Sequence, residues 1–185
     1  MGKHTKNVNN TRQKILQAAG RVINSKGITA LTLAAVAKEA GVSKGGLLYH
    51  FASKDELIKG INDFFMQNFI SDVEHTADND VYNAGRWTRA YIKNTFKQLD
   101  NEFEINTALL SVAATKPNLV KSTANYLKTV QNHIENDHIN PILSTVIRLA
   151  VDGIYYNQLF GMNLEKDNWE QIANYLLLLT KEDIK

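Results

Sequence analysis

Residues 32–54 read TLAAVAKEAGVSKGGLLYHFASK, and the fold turns on how this stretch is parsed. Thr32 precedes a run with apolar Leu33, Val36, Ala37 and Ala40 at helical spacing, so its hydroxyl can cap the next turn while one face enters a core. Gly41 follows where a left-handed residue would end that helix, and Val42 supplies an apolar contact just beyond the turn. Ser43 is placed to cap a second, short helix from Lys44 to Tyr49, in which Leu47 and Leu48 anchor while Lys44, Gly45, Gly46 and Tyr49 face outward. A helix of that length is not stable alone. Helix, glycine turn and short helix in this order form a helix-turn-helix.

Two adjacent glycines in a short helix cost about 1 kcal/mol each against alanine, so their presence needs a reason. Either they form a plain loop between two core helices, or they let the backbone come close to a rigid partner. The groove of duplex DNA, walled by phosphates, is such a partner when Lys44, Tyr49, His50 and Lys54 surround the glycines.

Thr32, Ala37, Ala40-Gly41-Val42-Ser43, Gly46, Leu48-Tyr49-His50-Phe51 and Ser53-Lys54-Asp55-Glu56-Leu57 together resemble the N-terminal DNA-binding signature of TetR-family transcriptional regulators. The resemblance covers about the first third of the chain, ungapped, and the rest resembles the family only in being helical. It implies that Lys44 and the amides of Ser43, Gly45 and Gly46 face bases or phosphates. It also implies that Tyr49, His50 and Lys54 contact phosphates, and that Thr32 lies where the first motif helix meets the DNA backbone. The partners it implies are a palindromic double-stranded operator, a second copy of the chain and a small, mainly apolar effector.

The net charge of +2 hides a segregation. Residues 1–60 carry ten Lys or Arg against three Asp or Glu, a net of +7, and residues 61–185 carry eleven against sixteen, a net of −5. A basic end bearing the helix-turn-helix and an acidic remainder suit a nucleic-acid reader with a separate regulatory body. With 185 residues and 44% hydrophobic composition the chain can bury a substantial core. Absence of cysteine rules out disulfides, thiolate metal sites and a cysteine nucleophile. The N-terminal MGKHTKNVNN lacks a following apolar run, and Lys6 stands where a myristoylation signal wants Ser or Thr, so a cytoplasmic protein without a membrane partner is expected.

Taken in order, residues 1–9 are expected to be a mobile polar arm, and a first helix from Asn10 or Thr11 places Ile15, Ala18, Ala19, Val22 and Ile23 on one stripe before Gly27. Lys14 and Arg21, off that stripe, are candidates for phosphate contact. Ser53-Lys54-Asp55-Glu56 is a capping box opening a long fourth helix, whose apolar face runs from Leu57 through Phe64, Phe65 and Phe69 to about Val73. The segment His75 to Ala84 reads as a turn. Further helices are expected over Tyr82–Leu99, Glu104–Thr115, Pro117–Ile134, Pro141–Phe160, and from a cap at Asp167 or Asn168 onward. No strand-like alternation occurs, so the fold is expected to be all-α. Residues 1–52 form a three-helix DNA-binding head, and residues 53–185 a ligand-binding and dimerisation body entered through the long fourth helix.

Within the body, Phe65, Phe69, Trp87, Tyr91, Tyr126 and Tyr155 are candidates to line an apolar ligand pocket, although each is equally an ordinary core residue. The helices from Pro141 and Asn168 are apolar around most of their circumference, which calls for burial on both sides, and Ile147, Val151, Ile172 and Leu176 are expected at a homodimer interface. His133 and Asp137 share a helix face, yet no further ligand pairs with them or with His75 and His138, so no metal is expected. Asp152 needs a partner in an apolar helix, and Arg148, one turn back, can supply it. No nucleophile elbow, phosphate loop, dinucleotide fingerprint or zinc-protease motif is present, so neither catalytic residues nor a cofactor are expected. The function expected is a homodimeric repressor released from its operator by an apolar ligand. The alternative is a DNA-anchored interaction protein that recruits a protein partner through its body.

Overall fold

The computed structural model describes residues 2–101, 116–162 and 166–182. Among these residues there are eight α-helices and no strand: α1 (Gly2–Lys26), α2 (Leu33–Ala40), α3 (Lys44–His50), α4 (Lys54–Asp78), α5 (Arg86–Asn101), α6 (Pro117–Glu135), α7 (Pro141–Leu159) and α8 (Lys166–Glu182), with a single 3-10 turn at Ile28–Ala30. The fold is all-α, as its periodicity requires. The helix expected over Glu104–Thr115 lies outside the described residues. No described helix is long and apolar enough to cross a membrane.

The chain divides into two compact units, residues 1–65 with 104–123, and residues 66–103 with 124–185. In the first, Ile15, Leu16, Ala18, Ala19, Val22 and Ile23 of α1 pack with Leu31, Val36, Ala37, Leu47, Phe51, Leu57 and Ile61. The absence of a side chain on Gly60 completes this core: a Cβ there would stand 2.5 Å from the Phe51 ring. The core of the second unit is built from Phe69, Val73, Ala77, Tyr91, Ile92, Val130, Ile134, Ile147, Val151 and Leu176. Helices α4 and α6 each contribute residues to both units.

Several boundaries differ from the sequence reading. Helix α1 starts at Gly2 and not near Asn10, because no proline or buried turn interrupts the polar residues ahead of the apolar stripe. Helix α4 runs past Val73 to Asp78, since Phe69, Val73 and Ala77 extend the buried stripe by four-residue steps. Helix α5 begins at Arg86 and not at Tyr82, because Gly85 adopts φ +75. A Cβ on Gly85 would also meet Arg89 Nη1 at 2.8 Å and Thr180 O at 3.1 Å. Helix α8 starts at Lys166, which puts Asp167 and Asn168 inside its first turn.

Candidate nucleic-acid interface

The motif is assembled by local hydrogen bonds. Thr32 Oγ1 accepts from Ala35 N at 3.1 Å and starts α2. Gly41, at φ 62 and ψ 39, ends α2, and Val42 N donates back to Ala37 O at 3.0 Å. Ser43 Oγ then accepts from Gly46 N at 3.0 Å and starts α3. At the head of α4, Ser53 Oγ accepts from Glu56 N at 3.1 Å, while Glu56 Oε2 accepts from Ala52 N at 2.9 Å, one residue ahead of the cap.

These caps orient the residues expected to meet DNA. Thr32, Ser43, Lys44, Gly45 and Lys54 are exposed, Gly46 and His50 are half-buried, and Tyr49 is 77% exposed with its ring edge-on to His50 at 5.2 Å. A phenol left that open contributes little to the core and is available to a partner. Leu48, read as an anchor, is 37% exposed; Leu47 is the buried one. The seven-residue helix has a single inward row, which Leu47 occupies. Arg21, a candidate for phosphate contact, donates instead to Glu39 Oε1 on α2 at 2.8 Å. Arg12, which the sequence did not single out, lies over the Phe51 ring at 5.1 Å.

The two glycines separate on geometry. A Cβ added to Gly46 would stand 3.2 Å from Ser43 Oγ, so that glycine accommodates the cap. A Cβ added to Gly45 would meet no protein atom within 4 Å. Nothing in the fold asks for a glycine at 45.

In the second unit the expected ligand-lining residues do not form one set. Phe69 and Tyr91 are buried, with ring centroids 5.8 Å apart. Trp87 is half-buried and stacks on His133 at 3.8 Å. The Tyr126 hydroxyl accepts from Gln67 Nε2 at 3.2 Å, and Tyr155 sits edge-on to Tyr156 at 6.0 Å. Phe65 packs against the core of the first unit, because the inward stripe of α4 rotates between the two units. The residues expected at a subunit contact lie within the chain's own unit: Ile147 and Val151 are each 1% exposed, Leu176 is buried and Ile172 packs against the same cluster. Helices apolar all round have two faces, and the outer one carries Ile142, Val146, Leu149, Tyr175 and Leu178.

Three polar anchors hold this unit. Arg148 Nη1 donates to Asp152 Oδ2 at 2.6 Å, the pair that spacing along α7 predicts, and the Tyr91 hydroxyl also donates to this carboxylate. Burial pushes the Asp152 carboxyl up against the opposing pull of Tyr91 and Arg148, and burial with the Asp152 charge pushes the Tyr91 hydroxyl well up. Asp137 caps α5 from a distant part of the chain, accepting from Trp87 N at 3.0 Å, Thr88 N at 2.7 Å and Thr88 Oγ1 at 2.8 Å. Its burial outweighs these hydrogen bonds and raises its pKa. Arg89 forms a two-pronged pair with Asp80, Nε to Oδ2 and Nη2 to Oδ1 both at 2.9 Å, and donates to Tyr82 O at 2.7 Å and Ala84 O at 2.9 Å. The Asp137 and Asp80 anchors escape sequence reading because their partners are set by tertiary packing; a buried Arg–Asp pair has no spacing rule. Among the described residues no three His, Asp or Glu side chains gather as metal ligands.

Residues 15–61 match the family model for bacterial regulatory proteins of the tetR family, and residues 85–181 match the tetracyclin repressor-like C-terminal domain. The chain belongs to the TetR family. Its family and fold are those of DNA-binding transcriptional regulators and not of enzymes. This TetR-family chain is 25% identical over 138 residues to the nucleoid occlusion factor SlmA of Vibrio cholerae, covering 74% of its own length and 63% of that relative's. It therefore spans less than two thirds of the curated relatives it matches over most of its length. It is 35% identical over 75 residues to the transcriptional repressor KstR2 of Mycobacterium tuberculosis, 38% of each chain. Among solved structures, the multidrug binding protein EbrR complexed with imidazole matches with a TM-score of 0.64 at 25% identity, over 91% of this chain and 93% of that one. A TetR-family transcriptional regulator from Rhodococcus sp. matches with a TM-score of 0.72 at 18% identity, over 95% and 100%.

Proposed function

We propose that this TetR-family regulator is a cytoplasmic homodimeric repressor that sits on a near-palindromic operator and leaves it when a small, mainly apolar molecule binds the body. The observation that carries the reading is the face of α3 at Gly45: open, without a side chain, unneeded by the fold, and bordered by exposed Lys44, Tyr49 and Lys54. Thr32, Ser43, Gly46 and His50 complete the proposed DNA contact, within a head of residues 1–52; residues 53–185 form the effector and dimerisation body. Two such heads would read half-sites about 34–36 Å apart, or a multiple of that spacing. The outer row Ile142, Val146, Leu149, Tyr175 and Leu178 of α7 and α8 supports pairing with a second copy, since a bare apolar face of this extent calls for a cover. The likeness to EbrR, a multidrug binding protein, supports a small-molecule effector.

Helix α4 is the proposed lever, because it supplies residues to both units. A ligand among Phe69, Trp87 and Tyr91, with Phe65, Tyr126 and Tyr155 as further candidates, would favour a state in which α4 has shifted. To lower operator affinity a hundredfold it must prefer that state by about 2.7 kcal/mol, and operator DNA must then weaken ligand binding by the same factor. The test is a salt titration of operator binding. If each protomer neutralises about four phosphates, the log–log slope lies near −7, and Tyr49→Ala and Lys54→Ala weaken all sequences alike; a slope near zero refutes DNA binding by this face. Leu149→Asp gives monomers if the outer row is the interface.

A second reading has one observation in its favour, the similarity to a nucleoid occlusion factor. In it the same head anchors the protein to DNA while the body recruits a protein partner. Release of DNA by small molecules separates the two, because only the first reading requires it.

A further inference from the structure

The core of the second unit contains more polar chemistry than its packing uses. Tyr91 on α5 and Asp152 on α7 meet hydroxyl to carboxylate, and Arg148 donates to the other carboxylate oxygen. The carboxylate is thereby engaged at both oxygens, but the guanidinium is not: its buried Nε has no hydrogen-bond partner. The hydroxyl of Thr95, a residue 4% exposed, is also buried without a partner. Thr95 follows Tyr91 by four residues on α5, and Arg148 precedes Asp152 by four on α7. Both unpartnered groups therefore lie within one helical turn of the Tyr91–Asp152 contact. The surroundings are apolar, with Phe69 edge-on to Tyr91 and Ile147 and Val151 buried in the same cluster.

A buried donor without an acceptor is costly, and an oxygen from outside the chain is the usual remedy. The charges already present restrict what that oxygen belongs to. Arg148 and Asp152 neutralise each other, so an anion would face the Asp152 carboxylate and compete for its partner. A cation would face the guanidinium. An uncharged acceptor does neither.

We propose that the effector is an uncharged, largely apolar molecule carrying one carbonyl or hydroxyl oxygen, which accepts from Arg148 Nε and the Thr95 hydroxyl at the seam of α5 and α7. This inference rests on the effector reading above and specifies its chemistry. Thr95 and Arg148 are specificity-determining residues in it, while Tyr91 and Asp152 are positioning residues that fix the guanidinium.

The test titrates the full chain by calorimetry with four compounds of nearly one shape: 2-acetylnaphthalene, 2-isopropenylnaphthalene, 2-naphthoate and 2-naphthamidine. The ketone is expected to bind about tenfold tighter than the hydrocarbon and either ion, the difference one good hydrogen bond supplies. Thr95→Val keeps the shape and removes the hydroxyl; Arg148→Lys keeps the charge opposite Asp152 and removes Nε. Each is expected to abolish the ketone's advantage and leave hydrocarbon affinity unchanged, which a merely structural role would not do. Equal affinity for ketone and hydrocarbon, as when an ordered water already fills the place, overturns the proposal, and so does tighter binding of either ion. Operator titration keeps the two readings apart. Oxygen-selective binding without loss of operator affinity upholds the site and sinks the effector reading, whereas operator release by a compound of another class, with no oxygen preference in the series, sinks this proposal alone.

Discussion

The helix-turn-helix and the second unit are both helical and both capped, but their caps come from different distances along the chain. In the motif, Thr32 caps Ala35 and Ser43 caps Gly46, donor and acceptor three residues apart. In the second unit, α5 is capped by Asp137 from 49 residues beyond Thr88, and Arg89 reaches Thr180 across 91 residues. The buried side chains that form the first core are all hydrophobic, whereas the second unit buries an Arg–Asp pair and a Tyr–Asp–Arg chain among apolar residues. The first region can form turn by turn; the second holds together only once distant elements have met. This difference suits a rigid reader and a body that changes state.

Breaking the Arg89–Asp80 pair tests that contrast hardest. Both side chains are almost fully buried, at 3% and 6% exposure, so Arg89→Met strands a carboxylate together with the carbonyls of Tyr82 and Ala84. Removing one partner of a buried pair costs about 3–5 kcal/mol. Chemical denaturation followed by tryptophan fluorescence is expected to show that loss, because Trp87 lies on α5 two residues away. If the midpoint stays put, the second unit does not depend on long-range polar contacts. Asp80 also carries a pH signature. Burial pushes its carboxyl up, but the Arg89 hydrogen bond, the Tyr82 amide and the Arg89 and Lys93 charges outweigh that and leave it below 3.8. A lowered folded pKa gives stability that is complete above the unfolded value and lost as pH falls below it.

The matching break in the first unit is Gly60→Ala. Its Cβ would press on the Phe51 ring at 2.5 Å and on Leu16 Cδ2 at 3.3 Å, and both residues are buried. Overpacking of this kind costs about 1–3 kcal/mol, despite the better helix propensity of alanine. A rise in thermal stability would show that the head's core is looser than its burial implies.

These two sites also mark the reach of sequence reading. Thr32, Gly41, Ser43 and the Ser53–Glu56 box were legible because a cap and its amide are fixed by spacing alone. The Arg148–Asp152 pair was legible for the same reason, being one turn apart on one helix. Gly60 gave no signal, since the ring it accommodates arrives from nine residues earlier through a turn whose geometry periodicity does not encode. The inward and outward faces of α7 were confused because nearly every position is apolar; only packing shows that Ile147 points in while Val146, at 55% exposure, points out. The ligand-lining set mixed two cores because hydrophobic periodicity continues through α4 without marking where one unit gives way to the next.

Asp137 offers a gentler probe of the second unit. Burial raises its folded pKa above 3.8 despite the amides of Thr88 and Trp87, the Thr88 hydroxyl and the Arg89 charge. With the folded pKa raised, the native state binds more protons in the window just above 3.8, so this group's contribution to stability falls as pH rises through that window. Asp137→Asn removes the titration and keeps an acceptor for part of the cap. The expected result is a cost of about 1 kcal/mol at neutral pH, as for a weakened helix cap, and a flatter stability–pH curve above pH 4. An unchanged curve would show that the carboxylate is solvated in the native state.

The finest distinction lies within α3, between two neighbouring glycines that sequence alone treats as equivalent. Gly46→Ala puts a methyl 3.2 Å from Ser43 Oγ, so gains in helix propensity are offset by strain on the cap, and little net change in stability is expected. Gly45→Ala meets no protein atom within 4 Å and has a helical backbone, so it is expected to stabilise the isolated protein by up to about 0.8–1.0 kcal/mol. If Gly45 faces a groove, that same methyl enters the space through which bases or phosphates approach, and operator affinity falls while the fold becomes more stable. Opposite signs in the two measurements cannot come from damage to the fold, which would lower both. Thermal melts and operator titrations of both variants, at one salt concentration, decide the matter. A Gly45→Ala protein that is more stable and binds its operator as well as the wild type would mean that α3 meets DNA by another face.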